Sequence, residues 1–213
     1  MIKQTTKGLL KTKSDLHLQR KLWHFLTVLL MAFLYDYLGR ERALIVLLCF
    51  MIVFIPLDIL RLRFDAINEI IIKLFRTVMR RSEINTLAGT TYLLTGVFII
   101  AYLFKKDIVM LTLLFLAAAD PMASYIGVRY GKDSIGKNKS LQGTIAAFLC
   151  CTIVALGFYL YNEIMIERVI LVSVLSGIIG AFSEFFPIGK LDDNLTLPII
   201  SSLLLWILFG IFS

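Results

Sequence analysis

The chain has 213 residues, 59% of them hydrophobic and only 17% charged, with a mean hydropathy of +0.85 and a net charge of +7. A water-soluble domain of this size needs far less apolar residue. Several runs carry no charge over the roughly 20 residues that a helix needs to cross a bilayer, which argues against a soluble all-α bundle. Cys49, Cys150 and Cys151 all fall inside apolar runs. They form no disulfide framework or metal spacing and read as small packing residues. A long basic stretch precedes the first apolar run and no small-x-small site follows it, so no cleavable signal peptide is expected.

In chain order, seven membrane spans are predicted, at 22–38, 43–60, 87–104, 108–128, 141–161, 168–187 and 193–212. The third carries Gly89, Thr90, Thr91 and Gly96, and the sixth Ser173, Ser176, Gly177 and Gly180. Small and hydroxylated residues are what close helix packing in a bilayer uses. Between the second and third spans, Ile67, Ile70, Ile71, Leu74, Phe75 and Val78 recur with helical period, and Lys73, Arg76, Arg80 and Arg81 lie off that stripe. The pattern predicts a basic amphipathic helix over 62–85, lying in the headgroup region. No repeat or linker interrupts the chain. The expected architecture is all-α: one polytopic membrane domain over 1–213, with about seven transmembrane helices, one amphipathic helix and a basic tail over 1–21.

Charge placement predicts the orientation. With the N-terminus in the cytoplasm, 17 of the 22 Lys and Arg residues fall in inner segments and five (Arg40, Arg42, Lys105, Lys106 and Arg168) in outer ones. That asymmetry predicts N-terminus in and C-terminus out, in an inner or endoplasmic-reticulum membrane. A basic cytoplasmic face suits anionic lipid headgroups or nucleotide phosphates. Nucleic acid is a poor partner, because the basic residues are divided among short loops beside the membrane.

Four polar constellations fall on that predicted face. Arg20, Lys21, Trp23 and His24 open the first span. An interfacial anchor accounts for Arg20, Lys21 and Trp23 but less well for His24. Asp120-Pro121 begins a polar block that runs to Lys132 at the inner end of the fourth span. A carboxylate at that depth requires a cation partner, and Ser124 shares its helix face four residues on. The stretch Gly136 to Thr144 places glycines, lysines and hydroxyls just before a helix, the makings of a phosphate site. Its spacing is not that of a Walker A loop. Finally, Glu184 lies inside an apolar run, and Asp192-Asp193-Asn194 opens the last span with Pro198 inside it. Asp193 or Asn194 can simply cap that helix. Asp120, Glu184 and one of Asp192 and Asp193 can also hold Mg²⁺ together with phosphate oxygens.

In this order and spacing the blocks resemble the CTP-using membrane lipid kinases. These are the dolichol, phytol and farnesol kinases and the CTP-dependent diacylglycerol kinases, distant relatives of CDP-diacylglycerol synthase. The resemblance runs from Arg20 to about Ser201. It is carried by Arg20, Lys21 and His24; by Asp120 to Lys132; by Lys139 to Thr144; and by Glu184, Asp193, Asn194 and Pro198. Glu83 to Gly96 is similar to a less specific third-span motif of that family. Two positions depart from it: Gln142 stands where many members carry Glu, and Pro121 where many carry a small residue or Thr. The resemblance implies transfer of the γ-phosphoryl group of CTP to a lipid primary hydroxyl with Mg²⁺. It implies catalytic roles for Asp120, Lys139 and Glu184. Nucleotide or phosphate binding falls to Arg129, Lys132, Lys139, Ser140, Gly143, Thr144 and Asn194, and metal binding to Asp120, Asp192 and Asp193.

The nearest rival is a cytidylyltransferase making CDP-diacylglycerol from phosphatidate, disfavoured because its Lys-Arg…Lys-Asp signature is missing from the last segment. A transporter is disfavoured because the two halves share no pattern of broken helices. A retinal protein is excluded, since the last span has no Lys for a Schiff base. A receptor would need an outer-face pocket that the polar cluster does not supply.

Overall fold

The computed structural model describes residues 18–136, 139–186, 189 and 191–213. The basic tail before Leu18, and Lys137 and Asn138 of the phosphate-loop expectation, lie outside the described residues. The described chain is a helical bundle. Its helices are α1 (Leu18–Leu38), α2 (Arg40–Arg63), α3 (Asp65–Phe75), α4 (Gly89–Leu103), α5 (Lys106–Tyr130), α6 (Leu141–Tyr161), α7 (Val169–Phe185) and α8 (Asp193–Phe212). A two-stranded antiparallel hairpin, β1 (Ser134–Gly136) and β2 (Lys139–Ser140), leads directly into α6.

Among the described residues, five segments are long and apolar enough to cross a membrane: α2, α5, α6, Ile166–Phe185 and α8. That number meets the seven-span expectation in part. Helix α1, which bears Arg20, Lys21, His24 and Asp36, is not among the five. Helix α4 has 15 residues, about 22 Å at 1.5 Å per residue, and is shorter than the roughly 30 Å hydrocarbon core.

Helix α5 is the hub, packing on α1, α6 and α8. One core cluster lies among α1, α2, α4, α5 and α8 (Val28, Leu47, Val97, Ile100, Leu113, Leu197) and a second among α5 to α8 (Phe115, Ala147, Cys151, Val172, Leu205). In a bilayer, burial from water does not drive helices together; close contact and hydrogen bonds do. Accordingly, a Cβ on Gly177 would clash with Thr152 of α6, and one on Gly180 would come within 2.5 Å of Cys151 Sγ. Cys151 is fully buried and acts as the small packing residue its sequence context predicts. Buried hydroxyl pairs tie further seams: Thr112 to Ser202 at 2.9 Å and Tyr159 to Ser176 at 2.8 Å.

The expected amphipathic helix over 62–85 is shorter and differently bounded. Helix α2 continues to Arg63, Phe64 is extended, and α3 then runs only to Phe75. A turn and a short 3-10 helix at Arg81–Ile84 complete the segment. The apolar stripe continues past Phe75, but the backbone there has other partners. The Val78 carbonyl accepts from Arg20, and the Glu83 and Thr86 carbonyls accept from Arg61. Arg61, 1% exposed, also donates to Asp58 at 2.5 Å and Asn68 at 3.1 Å. Asp58 in turn accepts from Ala88 N and Thr91 Oγ1. Each side-chain nitrogen of Arg61 and Asn68 in this buried network finds an acceptor, the condition under which burying an ion pair is tolerable.

Polar contacts gather at both ends of the bundle. At one end, Lys106 pairs with Asp36 at 2.6 Å, and Arg40 donates to the Tyr102 carbonyl. The opposite end holds every predicted site residue that the structure describes.

Candidate functional site

At that opposite end a cavity of about 320 Å³ lies among α1, α5, α6, α7 and α8. It is lined by residues from all four predicted constellations, which are up to 174 positions apart in sequence, from Arg20 to Asn194.

Helix α5 supplies one wall. Asp120, Ser124 and Gly127 lie four and three residues apart and line the cavity from one helix face. Helix α5 runs through Pro121 as one continuous helix. Asp120 Oδ2 lies 3.9 Å from Lys21 Nζ of α1, the cation partner that its depth demands. His24 lies one turn along α1, its Nε2 3.3 Å from the Leu116 carbonyl. Arg20 donates from NH1 to both the Val78 carbonyl and Glu83 Oε1, each at 2.9 Å.

The phosphate-loop expectation meets a hairpin and a capped helix. The Ser140 hydroxyl caps α6 by accepting from Gly143 N at 3.2 Å. Thr144 Oγ1 donates to the Ser140 carbonyl. All three residues line the cavity, so the N-terminus of a 21-residue helix opens into it. That end carries a partial positive charge, a setting that favours phosphate. Gly143 is required by close approach: a Cβ there would stand 2.6 Å from the Ala123 carbonyl of α5. Gln142 does not reach into the cavity. Its Oε1 accepts from Lys132 N and Asp133 N, and its Nε2 donates to Asp133 Oδ2 at 2.7 Å. A Glu could not make that last bond, so the departure from the family pattern fixes the Lys132–Asp133 turn.

Lys139 and Glu184 face each other directly. Lys139 Nζ lies 2.5 Å from Glu184 Oε1 and also donates to the Glu184 carbonyl. Glu184 Oε2 is buried and has no partner among the described residues. Asp193 and Asn194 line the cavity from the start of α8, and Asn194 Nδ2 donates to the Gly89 carbonyl of α4. Asp192 has different work. It caps α8 through Asn194 N at 3.1 Å and pairs with Arg80 at 3.2 Å. Arg129 points elsewhere as well: it hydrogen-bonds the Tyr125 hydroxyl and lies over the Tyr125 and Tyr130 rings. Lys132 lines the cavity mouth and is exposed.

Two contributors were not legible as site residues. Arg80 reads in the sequence as the polar face of a long helix; because α3 ends at Phe75, Arg80 instead lies in the returning segment and lines the cavity. Glu83 is the carboxylate that holds Arg20. The resemblance places Glu83 at the start of a third-span motif but gives it no role.

The donor set bears on metal binding. Among the described residues, no three His, Cys, Asp or Glu side chains stand close enough to hold an ion by themselves. Mg²⁺ does not require such a cage, being held mostly by one or two carboxylates with phosphates and waters. Asp120, Asp193 and the unpartnered Glu184 Oε2, all on one cavity wall or another, fit that sparser mode.

Comparison with known proteins bears on the family of the chain. A family model described as the cytidylyltransferase family matches residues 5–187. The chain is 31% identical over 161 residues to the CTP-dependent diacylglycerol kinase 1 of Schizosaccharomyces pombe, covering 71% of this chain and 74% of that protein. It is 34% identical over 173 residues to the protein of that name from Saccharomyces cerevisiae, covering 72% of this chain and 59% of that one. A 96-residue stretch is 38% identical to a probable phytol kinase 3 of Glycine max, covering 41% of this chain and 30% of that protein. No solved structure matches. With a family match across most of its length, the chain belongs to the cytidylyltransferase family and is a homologue of the CTP-dependent diacylglycerol kinases.

Proposed function

We propose that the chain is a CTP-dependent lipid kinase, transferring the γ-phosphoryl group of CTP to the primary hydroxyl of a membrane lipid alcohol. The observation that carries this reading is the convergence of cations, carboxylates and a helix N-terminus on one cavity at the end of an apolar bundle. The names of the relatives support CTP as donor and diacylglycerol as the first acceptor to try, with phytol-type alcohols second.

Phosphoryl transfer needs positioned reactants and neutralised phosphate charge more than covalent help from the protein. The lipid oxygen attacks the γ-phosphorus, the bond to the β-phosphate oxygen breaks, and CDP leaves with that electron pair. Asp120 takes the hydroxyl proton. The N-terminus of α6, with Ser140, Gly143 and Thr144, receives the phosphates, and Lys139 and Lys132 supply charge. With Asp120 as the base, Glu184 and Asp193 are the side chains that would hold Mg²⁺, which when bound neutralises phosphate oxygens. Arg20, Lys21 and His24 frame the acceptor side. Anionic headgroups would meet the basic face, which we orient to the cytoplasm with the C-terminus outside.

The test is transfer of label from γ-labelled CTP to dioleoylglycerol, phytol, farnesol and dolichol by protein purified in detergent. A labelled lipid phosphate with CDP is expected. The family description keeps cytidylyl transfer to phosphatidate as the second reading. A CDP-lipid with pyrophosphate among the products would establish it instead.

A further inference from the structure

A second, larger cavity of about 480 Å³ lies beside the polar one. Its size is that of a small-molecule site. Its origin is in the packing of the first two helices. Helices α1 and α2 join at Gly39, whose φ of +74° makes the turn. From there α1 packs chiefly on α5 and α2 chiefly on α4, so the two touch little and splay apart. The wedge between them is lined by Thr27 and Met31 of α1, Leu47 and Phe50 of α2, and Leu94 and Val97 of α4. Phe75 and Met79 stand at its polar end.

The two cavities share three lining residues, Arg20, His24 and Asn194. The apolar wedge therefore begins where the polar site ends, a helix turn or so from Asp120. Groove and polar site meet at a charged neck held by Glu83, which fixes Arg20, and by the Gly89 carbonyl, which fixes Asn194. We propose that this wedge is the subsite for the hydrocarbon chain of the acceptor lipid. Its hydroxyl emerges at the Arg20–His24–Asn194 neck, facing Asp120. The inference rests on the lipid-kinase reading. It adds the place, the entry route sideways between α1 and α2, and the depth at which chain length is sensed. Met31 and Leu47 face the groove partway along. Met31 lies eleven residues beyond Arg20 on α1, about 16 Å at 1.5 Å per residue. An octanoyl chain stops short of that depth and an oleoyl chain passes it.

The experiment has two arms. In the first, Leu47→Trp narrows the groove at that depth. The KM for dioleoylglycerol is expected to rise roughly tenfold, while the KM values for dioctanoylglycerol and for CTP stay within about twofold. Equal changes for both lipids, or none, would overturn the subsite. The second arm needs no turnover. In the Trp23→Phe, Trp206→Phe, Met31→Trp protein, dibromostearoyl diacylglycerol is expected to quench the single tryptophan more than dibromostearoyl phosphatidylcholine at equal mole fraction. Equal quenching would mean that ordinary membrane lipid fills the wedge, and the proposal fails. Absence of any phosphoryl transfer by the unaltered protein would sink the kinase reading alone, because the quenching arm is read without CTP.

Discussion

In the proposed reaction Asp120 is the general base. It faces the cavity from inside a transmembrane helix, with Lys21 rather than a residue of its own helix as partner. Asp120→Asn keeps the shape and the hydrogen-bonding capacity but cannot take a proton. Removing a general base typically costs about 10²- to 10⁴-fold in rate. Transfer from CTP should fall by that order while the purified protein keeps its wild-type elution profile; wild-type turnover would remove Asp120 from the mechanism. Lys139 and Glu184 allow a finer separation. Lys139→Met leaves a buried carboxylate without its cation, which costs about 3–5 kcal/mol. The double variant Lys139→Met, Glu184→Gln removes the orphaned charge, so its thermal midpoint should return towards wild type. Activity should stay lost in both. If the double variant recovered activity along with stability, the pair would be structural only.

Elements decide how close these residues can come. Helices α5 and α6 approach until Gly143 meets the Ala123 carbonyl, and the cap Ser140 lies beside Gly127. Gly143→Val must push the two helices apart or distort the α6 start. Overpacking of this kind costs about 1–3 kcal/mol. The expected result is a lower thermal midpoint with a CTP KM raised more than the lipid KM, since the displaced helix end is the phosphate side. A larger rise in the lipid KM would argue that α6 serves the acceptor. The same scale explains the main departure from the sequence expectation. The stripe from Ile67 to Val78 reads as one long helix, yet α3 stops at Phe75. Helical period is a local signal. Arg61 and Arg20 claim the Val78, Glu83 and Thr86 carbonyls from other helices, and no local pattern announces that.

The whole molecule separates two polar ends. Asp36, Arg40 and Lys106 gather at one, and Arg20, Arg80, Asp120, Lys139, Glu184 and Asp193 at the other. With the charge asymmetry, this predicts that the site faces the cytoplasm and that Ser213 lies outside. Ser213→Cys in intact cells should react with a membrane-impermeant maleimide, after the three native cysteines are replaced by Ala or Ser. Labelling only after the membrane is permeabilised would reverse the orientation.

The apolar runs, the charged breaks between them and the four polar blocks were all legible in the chain. Those features are local: a bilayer demands length and apolarity from each segment separately, and a cap or a phosphate loop is written in neighbouring residues. Hence α6 and α8 match the predicted spans, and Asp120, Ser140, Gly143 and Asn194 do line one cavity. What only the tertiary structure decided is who meets whom. It pairs Lys21 with Asp120 and Lys139 with Glu184, turns Arg129 onto tyrosines, engages Asp192 as a cap, and brings in Arg80. It also opens the wedge between α1 and α2. A long charged side chain reaches any of several partners near a helix end, and the choice depends on how distant helices splay and cross. That information lies in the packing of the whole bundle and in no single stretch of the chain.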